Sequence, residues 1–225
     1  MRKDGYLFET HLHTSQTSSC GRDTGADMAR AYHKAGYSGI IVTDHFFNGS
    51  CAIPKEPPWN QRVELFTAGY LDAKAEGDRI GLTVLFGWEF SAGGSEFLTY
   101  GLDAKFLHDN PDLDKMGVKE YIAHISECGG FISQAHPFRE RDYLYGIHLY
   151  PETEGVEVIN AAHKDKEFDK RAFDYASQRN KIMTAGSDLH SKKGVSGAGM
   201  IFPAPIETSA DFVAALRSGN YKLRP

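Results

Sequence analysis

Five apolar runs in this chain each end in a histidine or a carboxylate, and that placement constrains the fold more than any other feature. The first leads into Glu9-Thr10-His11-Leu12-His13, where two histidines spaced two apart point to the same side of an extended backbone. GIIVT runs into Asp44-His45, LTVLFGW into Glu89, GFISQ into Ala135-His136-Pro137, and KIMTAGS into Asp188-Leu189-His190. Strand-like runs at 6–9, 39–43, 82–86, 97–101, 130–134, 155–159 and 181–185 alternate with amphipathic helix patterns, the signature of a parallel sheet with crossover helices. The first helix pattern is Met28, Ala31, Tyr32 and Ala35, ending at Gly36. Others are Val63, Phe66, Tyr70 and Ala73 ending at Gly77, Val118 to Ile125 closing at Gly129, and Phe168 to Ala176. A last helix is predicted from an N-cap at Thr208 or Ser209 to Ser218, with Gly219 after it. No Gly-rich phosphate loop follows the first strand, which favours a closed barrel over an open doubly wound sheet.

A single His or Asp after a strand is most often a hydrogen-bonded turn residue. As a set these are different, because chance would spread them over both ends of the strands. His11, His13, His45, Glu89, His136, Asp188 and His190 instead gather at the C-terminal end, where α/β barrels and open sheets build their sites. Nitrogen and oxygen donors of this kind suit zinc, manganese or iron, and they exceed what one tetrahedral ion needs. Of the remaining histidines, His33 and His124 read as helix surface or packing, and His108 and His148 as loop residues. His163 follows the sixth strand on the correct end and is a candidate on the substrate side.

At 225 residues, with 41% hydrophobic and 24% charged, the chain is expected to form one globular domain over 1–225. A net charge of -5 and no Lys/Arg run beyond a pair argue against an extended nucleic-acid partner. No apolar stretch has the length of a signal peptide or a membrane span, and 3 cysteines form no disulfide framework, so the expected location is the cytoplasm with no membrane partner. The oligomeric state is left open.

In their order along the chain, ETHLHTS, VTDH, GWEF, QAHPF and GSDLH resemble the PHP family, named for polymerase and histidinol phosphatase. The resemblance implies a distorted seven-stranded (β/α)7 barrel with a trinuclear metal centre. It further implies that His11, His13, Glu89 and Asp188 hold one metal, that Glu89 bridges to a second ion bound by His136, and that His45 and His190 hold a third. Two positions depart from the family pattern. Where many members have a further His, this chain has Glu96 in EFLTYG, and the loop after the first strand offers Cys20 or Asp23 in SSCGRD, with Cys20 preferred. Two or three divalent ions (Zn, Mn or Fe) are thus expected as cofactors.

Ions so clustered suit hydrolysis of a phosphate ester by a metal-bridging hydroxide, with Glu89, Asp188, His190 and Arg139 as catalytic candidates. Arg139 in HPFR is the first candidate for a bidentate phosphate contact, with Arg22, Lys164 and His163 as weaker substrate-binding candidates. A small phosphorylated metabolite, such as histidinol phosphate or a nucleotide, is the expected substrate. The loop 46–59, with Phe46, Phe47 and Trp59, is either a substrate wall or a packed Ω-loop. Alternatives are a non-catalytic metal-stabilised interaction domain, a metal-dependent nuclease, and an amide or lactone hydrolase on the same barrel.

Overall fold

A computed structural model describes residues 5–140 and 146–225. The strands are β1 (Tyr6–Leu12), β2 (Gly39–Val42), β3 (Thr83–Ala92), β4 (Ser95–Tyr100), β5 (Phe131–Ala135), β6 (Gly155–Asn160), β7 (Ile182–Gly186), β8 (Gly199–Phe202) and β9 (Lys222–Arg224). They form one sheet in the order β7-β6-β5-β4-β3-β2-β1-β8-β9. Every residue of β2 and β5 is buried, as expected of strands covered on both faces.

The expected strands are all present, but among the described residues the sheet is mixed and has nine strands rather than the seven of the expected distorted (β/α)7 barrel. The chain reverses at Gly93-Gly94, a two-residue hairpin with φ of +60° and +74° that an L-residue adopts only with strain, so β4 runs antiparallel to both β3 and β5. β8 and β9 add antiparallel pairs beside β1. The third strand also runs past its expected end at Phe86, because Gly87 to Ala92 find partners across that hairpin.

The sheet curls until β7 meets β1. Asp188 N donates to His11 O at 2.8 Å, His13 N to Leu189 O at 2.9 Å, and Thr10 Oγ1 to Ala185 O at 2.8 Å. The result is a nearly closed barrel. Its interior at one end is filled by aromatic and aliphatic side chains such as Phe8, Tyr100, Phe131 and Phe202, while the other end carries the polar residues of the strand ends.

The helices are α1 (Gly25–Lys34), α2 (Trp59–Phe66), α3 (Ala68–Ile80), α4 (Ala104–Asp109), α5 (Val118–Glu127), α6 (Glu167–Gln178) and α7 (Ser209–Ser218). Thr208 caps α7 through a capping box with Asp211, and Gly219 ends it at φ +69°, as the sequence predicts. The single helix expected to stop at Gly77 is instead two helices broken at Thr67, and the second runs on to Gly81 at φ +78°. Gly77 is a packing position: a Cβ there would lie 2.5 Å from Val84 Cγ2. No helix among the described residues is long and apolar enough to cross a membrane.

Candidate metal centre

Seven of the expected ligands meet at one end of the barrel. His11, His13 and Glu89 form one group, His11, His136 and Asp188 another, and His13, His45 and His190 a third, each with donor atoms within 4.8 Å of one another. His45, Glu89 and Glu96 make a further group, so Glu96 joins the cluster although it opens its strand. The antiparallel course of β4 explains this: Glu96 pairs with Ala135, placing the start of β4 beside the C-terminal end of β5. Two ligand positions have left-handed backbone, His136 at φ +28° and Asp188 at φ +54°. Strain of this kind persists where the surroundings over-determine a site.

Hydrogen bonds fix how the rings present themselves. His11 Nδ1 lies 2.8 Å from Glu157 Oε1, so the Nδ1 proton goes to that carboxylate. Ser18 Oγ donates to Asp44 Oδ1 at 2.6 Å, which leaves its lone pair to accept from His13 Nδ1 at 3.2 Å. His190 Nδ1 donates to the Asp188 carbonyl at 2.9 Å. In each ring the Nε2 edge remains for the centre, the arrangement in which second partners orient metal-binding histidines. Glu157 also accepts the His136 backbone N–H and Asn160 Nδ2, both at 3.0 Å. Glu9 is pinned between β1 and β7 by N–H donors from Thr10, His11 and Ser187 and by the Tyr32 hydroxyl.

The electrostatics are those of a site made for cations. Burial pushes the Glu89 carboxyl up, but His11 and His45 outweigh it and hold it well below the usual range. Asp188 is held low against burial by His11, His13 and Arg139. In return, Glu157, Asp188 and Glu89 raise His11 against burial, and Glu89 and its neighbours raise His45 to about 11. His13 falls to about 3, through burial and then the charge on His45.

The donor set also fits divalent ions. His45 Nδ1 and Glu89 Oε2, both buried, form an ion pair at 2.8 Å with no well-directed hydrogen bond to any neighbour, so a divalent ion that replaced the His45 proton would meet both atoms. Imidazole and carboxylate donors are those zinc, manganese and iron prefer.

The remaining candidates separate. Arg139 and His136 line a cavity of about 530 Å³ over the cluster, together with Cys20, Glu96, Asp188 and His190. Cys20 is exposed, and His190 and His45 lower its thiol against burial. Asp23, the other candidate in that loop, is turned to Ser191 and Lys192. His163 is buried beside Arg139. Arg22 and Lys164 are exposed and not among the residues lining the cavity, because Arg22 meets the site only through its backbone N–H to His190 O.

The loop at 46–59 divides its roles. Phe46 and Phe47 pack with Trp59 and Phe66, while Asn48, Gly49 and Ser50 face the cavity. His148, expected as a plain loop residue, also lines it. Sequence reading missed Glu157, Glu9 and the orienting role of Asp44. The available signal was a carboxylate inside an otherwise apolar strand, in GVEVIN and YLFETHL.

No curated protein sequence matches the chain. The model of the PHP-associated family matches residues 167–221. Several solved structures, among them the following three, are similar in fold. The first is a two-domain protein from Bacteroides vulgatus containing a predicted PHP-like metal-dependent phosphoesterase, 16% identical with a TM-score of 0.71. That alignment covers 96% of this chain and 63% of the other, so this chain spans under two thirds of its length. The second, from Bifidobacterium adolescentis and provisionally named a metal-dependent phosphoesterase, is 16% identical with a TM-score of 0.60, covering 94% of this chain and 96% of that one. The third, an amidohydrolase from Chromobacterium violaceum with bound SO4 and no metal, is 14% identical with a TM-score of 0.59, covering 96% and 98%. The PHP-associated match at residues 167–221 and the fold shared with PHP-like structures agree with the resemblance carried by the ligand-bearing strand ends in their order.

Proposed function

We propose that the chain is a metal-dependent phosphoesterase acting on a small phosphorylated substrate. The observation that carries this reading is Arg139, whose guanidinium lies on the wall of the 530 Å³ cavity directly beside the ligand cluster, with Nη2 2.5 Å from Asp188 Oδ2. His11, His13, His45, Glu89, His136, Asp188 and His190 would hold two or three divalent ions, with Glu96 and Cys20 as further ligands. Such ions, zinc, manganese or iron, would activate water at neutral pH and offset charge on the phosphate oxygens.

The chain's own residues do the rest. Glu157, Ser18 and the Asp188 carbonyl hold the Nδ1 protons of His11, His13 and His190, so the lone pairs face inward. Arg139 supplies the planar fork of donors that matches a phosphate. The 48–50 segment and His148 bound the space left for the rest of the substrate, a volume suited to a metabolite or a nucleotide. The proposed partner is a small phosphorylated substrate rather than an extended nucleic acid or a membrane, and the proposed enzyme is one domain over 1–225 with a cytoplasmic location.

A second reading, amide or lactone hydrolysis, draws on the name of the Chromobacterium structure. It has no use for Arg139. Phosphomonoester, phosphodiester, amide and lactone substrates should be assayed with added Mn, Zn or Fe, before and after chelation. Turnover of a phosphomonoester that is lost with chelation and falls at least tenfold in Arg139→Lys is expected; inactivity on every phosphate ester with every metal overturns the reading.

A further inference from the structure

Arg139 does not stand alone. Its Nε–H donates to His163 Nε2 at 3.0 Å, and Nη2 meets Asp188 Oδ2 at 2.5 Å. A guanidinium only donates, so His163 Nε2 must carry the lone pair and the imidazole proton must sit on Nδ1. That proton points at Asp169 Oδ1, 2.7 Å away. Asp169 is fixed in turn by the Asn160 backbone N–H at 3.2 Å and by Lys166 Nζ at 3.0 Å. The row Asp169–His163–Arg139–Asp188 therefore runs from the first turn of α6, past the end of β6, to the end of β7. The side chains of His163 and Arg139 are 4% and 9% exposed, so water does not readily replace these bonds.

We propose that Asp169 and His163 are positioning residues that fix Arg139 as a rigid anion-binding arm over the metal centre, and so tune the site to substrates with a terminal phosphate. The inference rests on the phosphoesterase reading above. Two of the five guanidinium donors are tied to carrier residues on either side, which sets the plane of the group before substrate arrives. Pre-set donors lose less freedom on binding than a mobile side chain does. His163 acts here as an acceptor, which separates it from a general acid: in this bonding its Nε2 carries no proton to give.

Asp169→Asn tests the arrangement while keeping its shape. Because Asp169 Oδ1 also accepts the Asn160 backbone N–H, the Asn oxygen takes its place, and the His163 Nδ1–H exchanges a charged acceptor for a neutral one that holds the imidazole, and through it Arg139, less firmly. With the metal-loaded enzyme, the dissociation constant of inorganic phosphate and the KM of a phosphomonoester should both rise roughly tenfold, with a smaller change in kcat. His163→Gln, which can present an oxygen to Arg139, should recover part of the loss seen in His163→Phe, and it covers the case in which Asp169→Asn does not fold. Long-range proton–nitrogen spectra of the wild-type protein should show His163 protonated at Nδ1. A wild-type enzyme that binds phosphate, with Asp169→Asn binding it equally well, overturns the positioning role alone. A lowered Tm with unchanged phosphate affinity does the same, because it reports a purely structural pair. If the wild-type enzyme neither binds phosphate nor hydrolyses any phosphate ester, the phosphoesterase reading fails and this inference falls with it.

Discussion

The Nε2 atoms of His11 and His13 lie 3.2 Å apart while the Nδ1 atoms of both rings are committed to protein partners. Two inward lone pairs at that distance repel unless a proton or a metal ion lies between them. His11 is raised far above the ordinary histidine range and His13 drops to about 3, so without metal one proton on His11 serves both rings.

Metal uptake must therefore displace protons. His11, and His45 with its value of about 11, are both protonated at pH 7 in the metal-free chain. Loading should release about two protons per chain, and metal affinity should rise with pH. Calorimetry in buffers of different ionisation enthalpy measures the release. Metal binding with no proton exchange would contradict this bonding scheme.

Glu157 links two ligands through one carboxylate, with Oε1 on the His11 ring and Oε2 on the His136 backbone. Glu157→Gln keeps the volume but places an amide donor against one of those N–H groups. Metal affinity should fall roughly 10- to 100-fold, the range typical of such outer partners. Competition with a chelating dye gives the value, and an unchanged affinity would reduce Glu157 to a packing residue.

Asp44 gives the metal-free protein a pH signature. Burial raises its pKa from 3.8 to about 6, although Ser18 and Thr14 donate to it. The folded state thus keeps a proton that the unfolded chain has already released. Its stabilising contribution is full below about pH 4, is lost as the pH rises to about 6, and is constant above that. Relative to Asp44→Asn, the wild-type protein in chelator should lose on the order of 3 kcal/mol across that window. Urea midpoints at a series of pH values read the difference, and parallel curves would exclude Asp44 as its source.

Cys20 offers a chemical test of the ligand set. Burial raises the thiol, but His190 and His45 outweigh it and bring the pKa to about 6. Iodoacetamide at pH 7 should modify exposed Cys20 well ahead of Cys51, which is half-covered and raised by burial. If Cys20 joins the metals, loading should slow its alkylation at least tenfold. Equal rates with and without metal would remove it from the ligand set.

Much of the site was legible because its chemistry sits in unusual residue types at strand ends. His11, His13, His45, His136, Asp188 and His190 each follow a recognisable apolar run, and the structure brings them together. Sheet direction was less legible. Period-two patterning is the same for parallel and antiparallel strands, so EFLTYG gave no sign that β4 reverses, although the Gly93-Gly94 turn before it did. β8 and β9 are short runs of four and three residues beside longer elements, with little patterning of their own. Exposed cations were not legible: Arg22 and Lys164 lie in the loops after β1 and β6, but side-chain direction in a loop leaves no trace in spacing.

The seam between β1 and β7 has a consequence for biogenesis. His11 lies on β1 and His13 directly after it, while Asp188 and His190 follow β7, so the ligand set is complete only once β7 has been made. Before the seam zips through Asp188 N to His11 O and His13 N to Leu189 O, the early histidines have no carboxylate from β7 to share an ion with. Metal capture is thereby made a late step, contingent on the barrel's longest-range contacts, and an ion held by the full set reports that the ends of the barrel have found each other.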